Sequence, residues 1–184
     1  MTDNILESIE DEFIQINYRW KIFCQLYDSE ENVALLNKSG SNVFELFQKL
    51  LIYDVISSLC TLTDPPRSAR KDNASIKGYL EKANVPSERL DKVNPLMSKL
   101  TNEMTNMRIV RNKAMSHRDI DYATKVLRLP DITYDNIENS INILRGIINI
   151  LSNSSEDYIP HIPYGGDGNK LLKLLKKVHD GEKS

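Results

Sequence analysis

The chain has 184 residues, 40% hydrophobic and 27% charged, with a net charge of −2 at neutral pH. That is enough apolar material for one domain with its own core, and it excludes a disordered or membranous chain. A charge so near zero gives no global field to draw nucleic acid, and the longest apolar runs fall far short of a bilayer span.

Helix one is expected from about Asn4 to Tyr27, because Ile5, Ile9, Phe13, Ile16, Trp20 and Phe23/Cys24 recur every three or four positions. Asp28-Ser29 then offers a break and a cap. A long second helix runs from about Glu30 to Thr63, with Gly40 as a bend, until Asp64-Pro65-Pro66 stops it. Arg67 to Asn73 reads as a basic connecting loop, and Ser75 to Lys82 as a short helix. Pro86 and Ser87 restart the chain, with residues 87–93 as a separate or kinked piece. Pro95, welcome in a first turn, opens a helix reaching about His117.

Residues 119–131 are less regular. A core helix follows over about Tyr134 to Asn153, capped by Thr133, with Ile137, Ile141, Leu144, Ile148 and Leu151 inward. Residues 158–168 form a Pro/Gly/aromatic loop. A basic amphipathic helix from about Asn169 to Val178 should pack through Leu171, Leu174, Leu175 and Val178. The expectation is an all-α antiparallel bundle of four to five main helices with a short C-terminal helix. It is read as one domain over 1–184, with a core over about 4–153 and a tail over 154–184.

Met1-Thr2-Asp3-Asn4 lacks the basic and apolar regions of a signal peptide. Cys24 and Cys60 lie isolated in helical apolar patterns, which fits two buried thiols in a reducing, cytoplasmic compartment. The acidic start and the tail lysines, Lys170 to Lys183, read as solvated helix faces.

Residues 108–119, Arg-Ile-Val-Arg-Asn-Lys-Ala-Met-Ser-His-Arg-Asp, carry the most chemistry. Leu100, Met107 and Ala114 fall seven apart and make the middle of one stripe. Met104 and Arg111 border it on one side, Val110 and His117 on the other. On an ideal α-helix Arg111 and His117 stand roughly 120° apart. Arginine is a fixed cation, whereas histidine both gains and loses a proton near neutrality. A half-buried arginine needs a partner or a wet cavity. Asp54, interrupting the apolar run 50–56, is the internal candidate partner for Arg111. Such a pair would simply fix helix register. The alternative is a shared groove in a symmetric dimer, lined by two arginines and two histidines. Asn112 and Ser116 would add hydrogen bonds there, and Lys113 would lower the pKa of His117.

The run Arg111-Asn112, then His117 after five intervening residues, resembles the motif of the HEPN superfamily. The fuller stretch 111–119 is similar to the AbiU-type abortive-infection branch. Arg19-Trp20, Leu26-Tyr27, Leu62-Thr63-Asp64-Pro65 and an Ile/Leu-rich helix after Leu129-Pro130 match as well. The resemblance implies a helical bundle that dimerises and acts as a metal-independent endoribonuclease, a toxin or anti-phage effector. It implies that Arg111 holds the scissile phosphate, Asn112 orients it and His117 is the general acid or base, with Arg108 in support. It implies RNA as substrate, no cofactor or metal, and an antitoxin or nucleotidyltransferase as a further partner. Some members of the family bind nucleotide or RNA without cutting, so a non-catalytic binding module is the second reading.

Other signals are set aside. His117-Arg118-Asp119 lacks the rest of a kinase signature. Residues 165–168, Gly-Gly-Asp-Gly, lack the strand and Lys-Ser/Thr of a phosphate loop. His117, His161 and His179 sit in different segments without ligand spacing. Trp20, Tyr18 and Tyr53 suit the core better than base stacking. Arg67, Arg70 and Lys71, with the lysines of the last helix, read first as solvated surface features and second as candidate contacts to an RNA backbone.

Overall fold

A computed structural model describes residues 2–116, 120–125, 127–152 and 166–181. The described chain is all-α apart from one small hairpin. Its elements are α1 (Thr2–Tyr27), α2 (Glu30–Leu62), β1 (Arg67–Ser68), β2 (Lys71–Asp72), α3 (Ile76–Lys82), α4 (Ser87–Glu103), α5 (Thr105–Val110), a π-helical segment (Arg111–Ser116), α6 (Ile120–Ala123), α7 (Tyr134–Leu151) and α8 (Asp167–Gly181). Two compact units emerge, one of Met1–Phe13 with Ile56–Pro160, the other of Ile14–Val55 with His161–Ser184.

In the first unit, α4 packs along α7. Thr133 opens α7 with a reciprocal capping box: its hydroxyl accepts from Asn136 N, and Asn136 Oδ1 accepts from Thr133 N. The five apolar positions expected to face inward on α7 are all buried. Gly146 faces Leu96 of α4, whose Cδ1 a Cβ there would meet at 3.5 Å, an ordinary van der Waals contact. Pro95 does not open a helix. It lies inside α4, which begins at Ser87. Val93, Met97 and Leu100 are buried on both sides of the proline. Their packing outweighs the hydrogen bond that an interior proline removes, a cost of about 3 kcal/mol.

Instead of running on to the end of the motif, this helix breaks at Met104 (φ −87°, ψ 3°), and α5 resumes at Thr105. The apolar stripe holds through Leu100, Met104, Met107 and Val110, all buried. It ends there, because Ala114 is exposed. The basic loop of residues 67–73 contains the antiparallel hairpin β1–β2, with Arg67 opposite Asp72. Asn73 ties it down through Nδ2 to Pro65 O (2.7 Å) and Ser68 Oγ (2.9 Å). Ser75 caps α3 by accepting from Gly78 N.

In the second unit, α2 departs from helical geometry at Gly40 (φ 157°, ψ 70°), where the bend was expected. Trp20 is buried and stacks on Phe23 at 5.1 Å between ring centroids. Cys24 is half-buried rather than buried. Leu172 packs with Leu26 and Leu36, flanked by Leu171 and Leu175. Of the stripe expected from sequence, Leu171 and Leu175 do pack, but Leu174 and Val178 are exposed, and the buried centre of the face is Leu172. Gly168 N donates to Gln25 Oε1 (3.1 Å), which brings the start of α8 against α1.

Candidate functional site: an arginine pair on one carboxylate

The C-terminal end of α2 builds the site. A helix end presents unpaired carbonyls and partial negative charge, so it attracts cations. Thr63 lies just past α2 and is buried; its hydroxyl donates back to Leu59 O (2.9 Å). Asp64 follows, fixed by the Pro65-Pro66 stop. Arg108 of α5 reaches this end with both Nη atoms. Nη2 donates to Thr63 O (2.8 Å) and to Thr63 Oγ1, and Nη1 to Asp64 Oδ1 (3.0 Å). Arg111 takes the other carboxylate oxygen, with Nη1 donating to Asp64 Oδ2 at 2.8 Å.

One carboxylate therefore serves two guanidiniums, and the cluster keeps an excess positive charge. The side chains of Arg108, Arg111 and Asp64 are 25%, 18% and 19% exposed, so the cluster is neither sealed nor surface-screened. The hydrogen bond from Arg111 to Asp64 pushes the arginine pKa further up, against the opposing effect of its burial. Cys60, buried one turn back on α2, has its thiol pushed up to about 11 by burial, which the two nearby arginines only partly offset.

Asp54 is not the partner of Arg111. It pairs instead with Arg19 Nε at 2.8 Å. The reason lies in position: Arg111 is matched to the carboxylate at the mouth of α2, ten residues further along the chain. Asp64 and Thr63 were not singled out as site residues in the sequence. The available signal was an acidic residue before Pro-Pro at a helix end, inside the stretch Leu62-Thr63-Asp64-Pro65.

Asn112 is exposed and accepts from Arg111 Nε at 3.1 Å, so it braces the guanidinium. Lys113 Nζ sits 5.9 Å from the Tyr122 ring centroid, in cation–π range. Arg111 opens the π-helical segment, a rare geometry met mostly as single turns inside α-helices and frequently at functional sites. That segment breaks the α-helical register on which the 120° separation was reckoned. His117 and the side chain of Ser116 lie outside the described residues.

Among the described residues, Arg111 Nη2 has no acceptor, and no group of three His, Cys, Asp or Glu is arranged to hold a metal. Among them too, no helix is long and apolar enough to cross a membrane.

No curated protein and no solved structure matches this chain. A family model described as AbiU2 matches residues 2–161. The chain belongs to the HEPN AbiU2 family, and its fold is the all-α, HEPN-like one.

Proposed function

We propose that the protein is a metal-independent endoribonuclease of abortive infection, acting as a homodimer on RNA in the cytoplasm. The observation that carries this reading is the pair of arginines on Asp64. Two fixed cations on one anion leave a net positive, partly desolvated spot. Arg111, braced by Asn112, keeps donor capacity on Nη2 for a phosphate oxygen. A guanidinium held in place before substrate arrives stabilises charge that grows on the phosphoryl oxygens without reorganising.

His117, six positions on, is the natural general acid or base. It would take the proton of the ribose 2′-hydroxyl, whose oxygen then attacks the adjacent phosphorus. The 5′-oxygen would leave and be protonated. The products are a 2′,3′-cyclic phosphate and a 5′-hydroxyl, with no water or metal consumed. The hairpin β1–β2 supplies a path for the strand. Arg67 is engaged by Asp72 (3.1 Å) and Glu81 (2.7 Å), while exposed Arg70 and Lys71 stand at the tip.

The engagement of Arg111 by a carboxylate of its own chain also favours a second reading, a module that binds RNA or nucleotide without cutting, inside a toxin–antitoxin pair. Incubation with RNA in EDTA separates the two. The nuclease reading expects cyclic-phosphate ends, lost by about 10²-fold or more in His117→Ala with its helicity unchanged. Retention of RNA without cleavage supports the second reading, and neither binding nor cleavage refutes both.

A further inference from the structure

The charge balance of the arginine cluster decides which phosphates it suits. Arg108 is fully committed: Nη1 donates to Asp64 Oδ1 (3.0 Å), and Nη2 to Thr63 O (2.8 Å) and Thr63 Oγ1. Arg111 gives Nη1 to Asp64 Oδ2 (2.8 Å) and Nε to Asn112 Oδ1 (3.1 Å), which leaves Nη2 to meet a ligand. Two cations on one anion amount to a single positive charge. All three side chains are a quarter exposed or less, so water screens this balance incompletely. A ligand with one negative charge neutralises the cluster. A ligand with two leaves an uncompensated charge in a partly desolvated place, which is costly.

We propose that Asp64 is a specificity-determining residue, matching the site to phosphodiesters, with one negative charge each, over terminal phosphate monoesters, with nearly two. The role of Asp64 rests on Arg111 being the phosphate-binding cation, and adds a substrate class to that reading: internal RNA linkages rather than phosphorylated ends or free nucleotides. Both Nη atoms of Arg111 branch from one carbon, so a phosphate hydrogen-bonded to Nη2 lies about 5–7 Å from the Asp64 carboxylate. Over that range, at an effective dielectric constant of about 30, repulsion of a second phosphate charge changes affinity about tenfold or more.

Competition binding tests this at about pH 8, where a terminal phosphate, with a second pKa near 6, carries almost two charges. The probes are 2′-O-methyladenosine 3′-phosphate and its methyl ester. They differ by one methyl group and one charge, and neither can cyclise. Each displaces a fluorescent 2′-O-methyl oligonucleotide from the full chain. Wild type is expected to bind the ester at least as tightly as the monoester, and Asp64→Asn to shift the ratio towards the monoester by about tenfold or more. Asp64→Glu keeps the charge and the wild-type preference. A wild type that favours the monoester by more than about threefold overturns the proposal, as does an unchanged ratio in Asp64→Asn. Both results leave phosphate binding at Arg111 standing. If Arg111→Ala binds the oligonucleotide as tightly as wild type, the reading of the site falls, and the proposal with it. If circular dichroism shows Asp64→Asn unfolded, the wild-type ratio alone decides.

Discussion

Removing the Asp64 carboxylate is the sharpest perturbation of the site. Asp64→Ala leaves Arg108 and Arg111 facing each other across a vacated position, with Thr63 still holding Arg108. Exposed ion pairs contribute about 0–1 kcal/mol, and breaking a fully buried one costs about 3–5 kcal/mol. At 18–25% exposure the cluster falls between these limits. The substitution should therefore cost about 2–3 kcal/mol, a fall of roughly 4–12 °C in Tm for a chain this long. Thermal unfolding followed by circular dichroism measures it. Asp64→Asn should recover part of the loss, because one carbonyl oxygen still accepts from one arginine. A double-mutant cycle with Arg111→Ala should show a coupling of about 1 kcal/mol or more. If Asp64→Ala unfolds within 1 °C of wild type, or the cycle is additive, Asp64 does not hold the pair and the site as described fails.

The thiol of Cys60, raised from an ordinary 9.0 to about 11, makes stability sensitive to alkali. The unfolded chain releases this proton first, so the contribution is fully present below pH 9 and is lost as pH rises towards 11. By then it amounts to about 2–3 kcal/mol. Denaturant titrations of wild type and Cys60→Ala should therefore converge between pH 9 and 11, and parallel curves would count against the assignment. Thr133→Ala should cost about 1 kcal/mol by opening the capping box of α7, and Thr133→Ser much less; chemical unfolding reads both. On the ribonuclease reading, Arg70→Ala/Lys71→Ala should lower the slope of log K against log salt for single-stranded RNA by about 1.4, two contacts at ~0.7 each. An unchanged slope removes the hairpin tip from the RNA path.

Much of the fold was legible because its elements carry local signals. The core face of α7, its Thr133 cap, the Gly40 bend and the Asp64-Pro65-Pro66 stop all follow from neighbours in sequence. What periodicity could not supply was the outcome of competition between local preference and packing. Pro95 looked like a helix start, yet the burial of Val93 and Met97 on either side carries α4 through it. The α-helical period that placed Ala114 inward failed because the π segment changes the turn from Arg111 onwards. On α8 the face is turned by part of a residue from the expected one, so Leu171 and Leu175 still pack while Leu172 replaces Leu174 and Val178. The partner of Arg111 was illegible for a different reason. An ion pair spanning 47 residues depends on where two helices meet, which composition does not encode.

That misplacement carries a physical lesson about the motif. An acid in mid-helix must spend its charge against whatever lies beside that helix, and Asp54 does so with Arg19. An acid at a helix end acts together with the unpaired carbonyls and the dipole there, so its hold on a cation is reinforced. Arg108 takes the Thr63 carbonyl as well as the carboxylate, and so it ties α5 to the end of α2. With Arg108 committed to that junction, Arg111 shares the same anion through a single nitrogen and a braced Nε. On the ribonuclease reading the two arginines divide the labour: Arg108 fixes the frame, and Arg111 is the cation that would engage an incoming phosphate. Substitution should separate them: Arg108→Ala lowers stability more than Arg111→Ala does and, if the ribonuclease reading holds, Arg111→Ala weakens RNA affinity more at equal stability.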